Sequence, residues 1–169
     1  MKIIQLKNYT EGFATINFDR VDMTSVMKQG DISVLDGKEF TWRRDVGSNI
    51  GDCPFFVGAM PIFATEKLGS IIDSTVRTAT FTVEGKSYTI IAAPLLKGEV
   101  INRQESKCRT FRSGKIMSVD KFIFNKGIDY PVLFVPEEYI MYTFCDMEFA
   151  KKLISCHFEQ LQLIECAIV

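Results

Sequence analysis

The chain has 169 residues, of which 47% are hydrophobic, 12% aromatic and 24% charged. This length suits a single domain with its own core, and this composition argues against a disordered chain. The formal net charge of −1 supplies no global positive field, which disfavours general binding to nucleic acid.

No apolar run approaches the ~18 residues that a membrane-spanning helix needs. The start of the chain, residues 1–8, has neither an apolar run of signal-peptide length nor a small-residue cleavage site. We therefore expect a cytoplasmic protein that has no membrane partner.

Short or alternating apolar runs predict strands in the first third of the chain. They lie at residues 2–6 and 12–18, with a weaker candidate at residues 39–43. Glycine and proline punctuate residues 46–58, which predicts a long ordered loop there.

The first helix is predicted near residues 65–74. Thr65 can cap the free amides of its first turn, and Leu68, Ile71 and Ile72 form an apolar stripe at helical spacing. A β-hairpin is predicted next, at residues 78–93, because apolar residues alternate with threonines on either side of a Glu-Gly-Lys turn. The threonines predict a sheet with one face in solvent.

Further strands are predicted in the second half of the chain. Residues 97–119 are charged and predict strand and loop, and residues 122–124 are either a short strand or a helical turn. Compact apolar runs predict strands at residues 130–135 and 139–145, and an apolar closing strand at 158–169 that is paired inside the sheet.

The second main helix is predicted near residues 146–157. Asp146 is a suitable N-cap, and Glu148 and Lys152 are spaced for a favourable pair. The apolar stripe is expected to contain Phe149, Ala150, Leu153 and Ile154. Strands do not alternate regularly with helices, so we predict a single α+β domain with a curved, largely antiparallel sheet and about two main helices.

The five cysteines are irregularly spaced and form no CxxC pair, so we expect free, mostly buried thiols and no metal site. The only histidine is His157, which could meet Cys53 or Cys108 in space, although a solvated histidine near a helix end is the simpler interpretation. Phosphate-binding glycine loops and the GxSxG motif are absent. We therefore expect no catalytic residues and no cofactor.

One segment concentrates basic residues around an aromatic. It contains Lys97, Arg103, Lys107, Arg109, Arg112 and Lys115, with Phe111 among them. Such a pattern is typical of a solvated charged face, of a site that holds nucleic acid, or of a docking surface for an acidic protein.

Two other groups are candidates for contact with a partner. Trp42, Arg43 and Arg44 form either an exposed interface anchor or a core tryptophan with arginines at its rim. The acidic residues are Glu137 and Glu138, which follow a proline and suggest a turn, and Asp146 and Glu148, which suit a helix start.

Two stretches together resemble a known group of proteins. The chain is similar to immunity-protein family eleven of bacterial polymorphic toxin systems, and to its neighbour, family forty-three. The resemblance lies in Gly51-Asp52-Cys53-Pro54-Phe55-Phe56 running into residues 60–68, and in residues 132–138 followed by 144–152 and a final strand.

The resemblance implies a non-enzymatic, cytoplasmic protein that binds and neutralises a cognate toxin domain. The toxin, its activity and the oligomeric state stay open. The alternative is a module that binds a ligand or nucleic acid through residues 97–115. The candidate contact residues are Trp42, Arg43, Arg44, Glu137, Glu138, Asp146, Glu148, Arg103, Arg109 and Arg112.

Overall fold

The computed structural model describes residues 1–57, 59–72, 74 and 76–169, so Gly58, Asp73 and Thr75 lie outside the described residues. The elements of the first part are β1 (Ile3–Asn8), β2 (Gly12–Phe13), β3 (Thr15–Asn17), α1 (Met23–Gln29), β4 (Glu39–Arg43), β5 (Gly47–Asn49), β6 (Ile62–Ala64) and α2 (Thr65–Leu68). Those of the second part are β7 (Thr78–Val83), β8 (Lys86–Ile91), β9 (Leu95–Leu96), β10 (Lys107–Thr110), β11 (Ile116–Lys121), β12 (Ile123–Phe124), β13 (Leu133–Pro136), β14 (Thr143–Asp146), α3 (Met147–Ser155) and β15 (Leu161–Ile168). Short 3-10 turns occur at Ser33–Leu35 and Glu137–Tyr139.

Two curled sheets form the frame of the described chain. The larger has the strand order β12-β15-β1-β14-β13-β9, and the second has the order β3-β4-β7-β8-β6. Most described pairs are antiparallel, whereas β2 with β5, β4 with β7, β9 with β13, and β12 with β15 are parallel. The predicted α+β domain with a curved, largely antiparallel architecture is confirmed.

The larger sheet is covered on both faces, which explains the continuous apolar runs of its strands. Ile4 and Leu6 of β1 face a cluster that contains Phe149 and Leu153 of α3. Ile3, on the opposite face, belongs to a second cluster with an aromatic centre formed by Phe124, Phe134 and Phe144. A third cluster fills the second sheet against α1.

The predicted hairpin at residues 78–93 is confirmed as β7 and β8, in the register Thr78↔Ile91 to Val83↔Lys86. Ala79, Phe81 and Val83 are buried, while Thr78 and Thr80 are exposed, as expected for a sheet with one face in solvent. The closing strand is also confirmed, because β15 lies between β1 and β12.

The predicted helix at residues 65–74 is wrong beyond its first turn for the described residues, and Asp73 of this range lies outside them. α2 ends at Leu68 because Gly69 adopts a φ of +55°, in the left-handed region. Thr65 does not cap it. Its hydroxyl lies 2.9 Å from the Thr89 hydroxyl, and Ala64 occupies the cap position.

The helix α1 was not predicted, although the residues at its ends, Asp22 and Gly30, are of types that commonly begin and end helices. Asp22 accepts a hydrogen bond from the Ser25 amide at 3.1 Å, and Gly30 closes the helix with a φ of +66°. Only Met23 and Val26 of its seven residues are buried, so the apolar period is too short to stand out.

Three other boundaries differ from the predictions. The strand predicted at 139–145 begins only at Thr143, because residues 137–139 form a 3-10 turn. The strand predicted at 130–135 is shifted to Leu133–Pro136, and of residues 122–124 only Ile123 and Phe124 form a strand, β12. The loop at 46–58 contains the short strand β5, and its last residue, Gly58, lies outside the described residues.

The helix predicted at 146–157 is confirmed as α3, with Asp146 as its N-cap. The Asp146 carboxylate accepts a hydrogen bond from the Phe149 amide at 2.7 Å. Ile154 is 57% exposed and does not belong to the buried stripe. Glu148 pairs with Lys151 at 2.7 Å rather than with Lys152.

Candidate interaction surface

Asp52, near the beginning of the first stretch that carries the resemblance, joins that stretch to the residues just before the closing strand. Its carboxylate accepts hydrogen bonds from the amides of Glu159 and Gln160, at 2.7 and 2.9 Å, and pairs with Lys67 at 2.7 Å. Burial opposes ionisation of Asp52, but the Lys67 ammonium and the two amides outweigh it and lower the pKa of this carboxyl. This carboxylate therefore acts as a structural clamp.

Gln160 completes the same junction. Its side chain accepts a hydrogen bond from the Cys53 amide at 3.0 Å and donates one to the Tyr9 carbonyl at 2.7 Å. A β-carbon on Gly51 would collide with this side chain, so the close approach requires glycine. The side chains of Asp52 and Gln160 thus hold together segments that are far apart in the chain.

The five cysteines are free thiols, and Cys53, Cys145 and Cys166 are buried. Burial raises the pKa of Cys53 and Cys145 far above the ordinary value and raises the pKa of Cys166 to about 11. Burial also raises the pKa of the half-buried Cys108 and Cys156. Protonated thiols are weak nucleophiles, so these positions do not favour thiolate chemistry.

His157 is exposed just after α3 and adopts a φ of +55°. Its amide donates to the Ile154 carbonyl at 3.1 Å, and its own carbonyl accepts from Lys67 at 3.3 Å. This position matches a solvated histidine at a helix end. Among the described residues, no three His, Cys, Asp or Glu side chains are grouped in a way that could hold a metal ion.

The four acidic candidates are divided between the two ends of β13, because Glu137 and Glu138 follow its end whereas Asp146 and Glu148 lie near its start, where Leu133 pairs with Cys145. Glu137 is exposed at a turn, whereas Glu138 is largely buried and pairs with Arg103 at 2.7 Å. Asp146 is occupied as the cap of α3, and Glu148 pairs with Lys151. These four residues therefore do not form a continuous acidic contact face.

Trp42 is 8% exposed and packs edge-on against Tyr88, with ring centroids 5.5 Å apart. This position matches the core alternative rather than the exposed anchor. Arg44 donates to both carboxylate oxygens of Glu84, at 3.1 and 2.7 Å, and Arg43 pairs with Asp45 at 3.2 Å. Both arginines lie at the rim and are engaged within the chain.

The basic candidates Arg109 and Arg112 lie on a hairpin formed by β10 and β11. Among the described strands these two pair only with each other. Ser106 fixes the base of the hairpin, because its hydroxyl donates to the Ile123 carbonyl at 3.2 Å and accepts from the Ile123 amide at 2.9 Å. At the tip, residues 109–115 are all exposed, and Gly114 adopts a φ of +80° in the turn.

The hairpin exposes apolar as well as basic side chains. Phe111 is 52% exposed at the tip, and Met117 is 55% exposed on β11. Met117 also lines a cavity of about 320 Å³ between β11 and residues 138–142, with Val57 on a third side.

Three residues that line this cavity, Val57, Met117 and Met141, were not predicted from the sequence to be functional. Met117 follows the basic tip by a few residues, and this juxtaposition was the one sign of it that the sequence contained.

No protein-family model matches the chain, and no curated protein matches it closely enough to serve as a relative. Within the described residues, no helix combines the length and apolar character that crossing a membrane requires.

Proposed function

We propose that this protein neutralises a bacterial toxin domain by binding it, without catalysis, in the manner of the immunity proteins that it resembles. The observation that supports the proposal most is the β10–β11 hairpin, which presents basic side chains together with Phe111 and Met117. Arginine and aromatic side chains dominate the energetics of protein interfaces. A self-paired hairpin on a packed frame presents them with little loss of backbone entropy.

Neutralisation would follow from occupation of a surface on the toxin. The bound protein would either cover the active site of the toxin or hold the toxin in an inactive conformation. Asp52 and Gln160 stabilise the larger sheet that supports the β10–β11 hairpin, because they tie the start of β15 to residues 9 and 51–53.

The test is co-expression with the toxin domain encoded beside this gene. We expect cell survival and a stable complex, and we expect purified protein to abolish toxin activity at one molar equivalent. A His157→Ala variant should neutralise as well as the parent protein. Complete inhibition at a small fraction of an equivalent, or survival without any complex, would contradict a binding mechanism.

A second candidate function is the binding of a nucleic acid or an anionic ligand through residues 97–115. The exposed Arg109, Arg112 and Lys115 beside Phe111 favour it, because phosphate contact and base stacking use these side chains. This function predicts that affinity for a short single-stranded oligonucleotide falls steeply with salt, roughly with one counterion released per phosphate contact.

A further inference from the structure

Charge is unevenly distributed between the β10–β11 hairpin and the rest of the molecule. Five Lys or Arg residues and one acid between positions 107 and 121 give the hairpin a charge of +4. Because the whole chain has a net charge of −1, the remaining residues carry −5. The five basic side chains are all exposed, so the hairpin presents a local positive field on an otherwise acidic protein.

A half-open cavity with both apolar and polar side chains on its walls adjoins this positive hairpin. Its walls include Val57, Ile116, Met117, Ile140 and Met141, and its volume is about 320 Å³. Val57, Met117 and Met141 are each more than one-third exposed, at 60%, 55% and 37%. We call the exposed side chains of residues 107–121, together with this cavity, the hairpin surface.

The same cavity is lined by two polar residues with unused hydrogen-bonding atoms. Glu138 uses one carboxylate oxygen to pair with Arg103 at 2.7 Å, and its other oxygen is buried without a partner among the described residues. The buried hydroxyl of Tyr139 also has no described partner. A buried acceptor of this kind is stabilised by a donor that arrives with a ligand.

We infer that the hairpin surface is the contact site for an acidic segment of the toxin that carries an exposed Tyr or Trp, an inference that rests on the function proposed above. The ring would pack against the apolar wall of the cavity, and its O–H or N–H would donate to the free oxygen of Glu138. Acidic neighbours on that segment would face Arg109, Arg112 and Lys115, whose charge steers association.

A polyanion fits this surface less well than an acidic protein does. The exposed apolar side chains of the cavity wall, Val57, Met117 and Met141, offer neither charge nor hydrogen bonds to phosphate groups. An apolar ring with a donor and acidic neighbours matches each of these features.

The test compares charge-matched variants in binding to the toxin domain. Arg112→Glu combined with Lys115→Glu should raise the Kd by roughly tenfold or more, mainly through a slower, less salt-dependent association. Lys28→Glu combined with Lys38→Glu makes the same change in net charge at exposed positions outside the hairpin and should leave the Kd unchanged.

The cavity has its own pair of variants. Met117→Glu should accelerate dissociation of the complex by roughly tenfold, because changes to a buried contact residue act mainly by raising the dissociation rate. Ile154→Glu, at an equally exposed apolar position on α3, should not change it. All four variants should unfold at the same temperature as the parent protein.

Each outcome discriminates. If the parent binds the toxin domain and the hairpin variants bind equally well, this inference is wrong while the proposed function stands. If the parent forms no complex, both are wrong. Tight binding of an oligonucleotide that Arg112→Glu and Lys115→Glu abolish would assign the surface to nucleic acid. A dimer that Met117→Glu dissociates would assign it to a second copy of this chain.

Discussion

Asp52 shows how one buried carboxylate holds together segments that are far apart in the chain. It joins Lys67 on one side to the amides of Glu159 and Gln160 on the other. We expect Asp52→Asn to lower the free energy of unfolding by roughly 1–3 kcal/mol, because a buried ion pair and a charge-assisted acceptor are lost. Urea denaturation measures this, with Asp45→Asn in an exposed pair as the control that should change little.

The contribution of Asp52 should also depend on pH. Its pKa is lower in the folded protein than its ordinary value of 3.8, so folding favours the ionised form. The stabilisation is therefore fully present above about pH 4 and is lost as the pH falls through the folded-state pKa. The difference in stability between the parent and Asp52→Asn should shrink in that acidic range, and a difference that grows on acidification would contradict this role.

The three buried thiols lead to a second expectation at the residue scale. Cys53, Cys145 and Cys166 should react with a thiol reagent only as fast as the protein unfolds, because they are buried and protonated. Cys108 and Cys156 are half-buried and should react sooner under native conditions. Time-resolved labelling with mass spectrometry separates the two groups. Rapid labelling of Cys145 in the folded protein would contradict this expectation, because it would show that the larger sheet opens readily at β14.

At the scale of elements, the start of α3 separates a structural role from a binding role. Asp146→Ala should lower the free energy of unfolding by about 1 kcal/mol, because the hydrogen bond to the Phe149 amide is lost. Glu148→Ala, at an exposed position in the same turn, should change it by less than about 0.5 kcal/mol. Neither variant should weaken toxin binding. A large loss of affinity in either variant would show that Asp146 or Glu148 contacts the toxin.

The β10–β11 hairpin can be shortened without disturbing the core. Thr110 pairs with Ile116, so replacing residues 111–115 by Asn-Gly leaves a two-residue turn that suits a hairpin. We expect the shortened protein to keep its unfolding temperature within a few degrees, because the tip is exposed, and to lose toxin neutralisation. Thermal unfolding and the survival assay measure the two effects, and full neutralisation by the shortened chain would exclude the tip from the interface.

At the scale of the whole molecule, the sequence predicted the features that depend on local interactions. The β7–β8 hairpin and the Asp146 cap each involve residues that are close in the chain. The overlong helix at 65–74 failed where one left-handed glycine, Gly69, outweighed an apolar stripe. Ile71 and Ile72 still pack against the core, so the apolar pattern predicted burial correctly but not the backbone that achieves it.

Contacts between residues that are far apart in the chain could not be predicted from the sequence. Asp52 lies 107 and 108 positions before the amides that it binds, and only the folded chain shows that it is a clamp. The sequence placed Arg103 in a basic candidate group and Glu138 in a separate acidic one, yet the two residues pair with each other. The basic segment was recognised, but the wall formed by Val57 and Met117 required the tertiary structure.

The position of β1 between β14 and β15 has a consequence for how the protein is made. β1 is an inner strand of the larger sheet, and both of its neighbours, β14 and β15, come from residues 143–168, far later in the chain. Until they emerge, the apolar residues of β1 have no native partner, and pairings this distant in sequence form slowly. A nascent chain would therefore be unable to complete its larger sheet, and would depend on protection from aggregation, until β14 and β15 have left the ribosome.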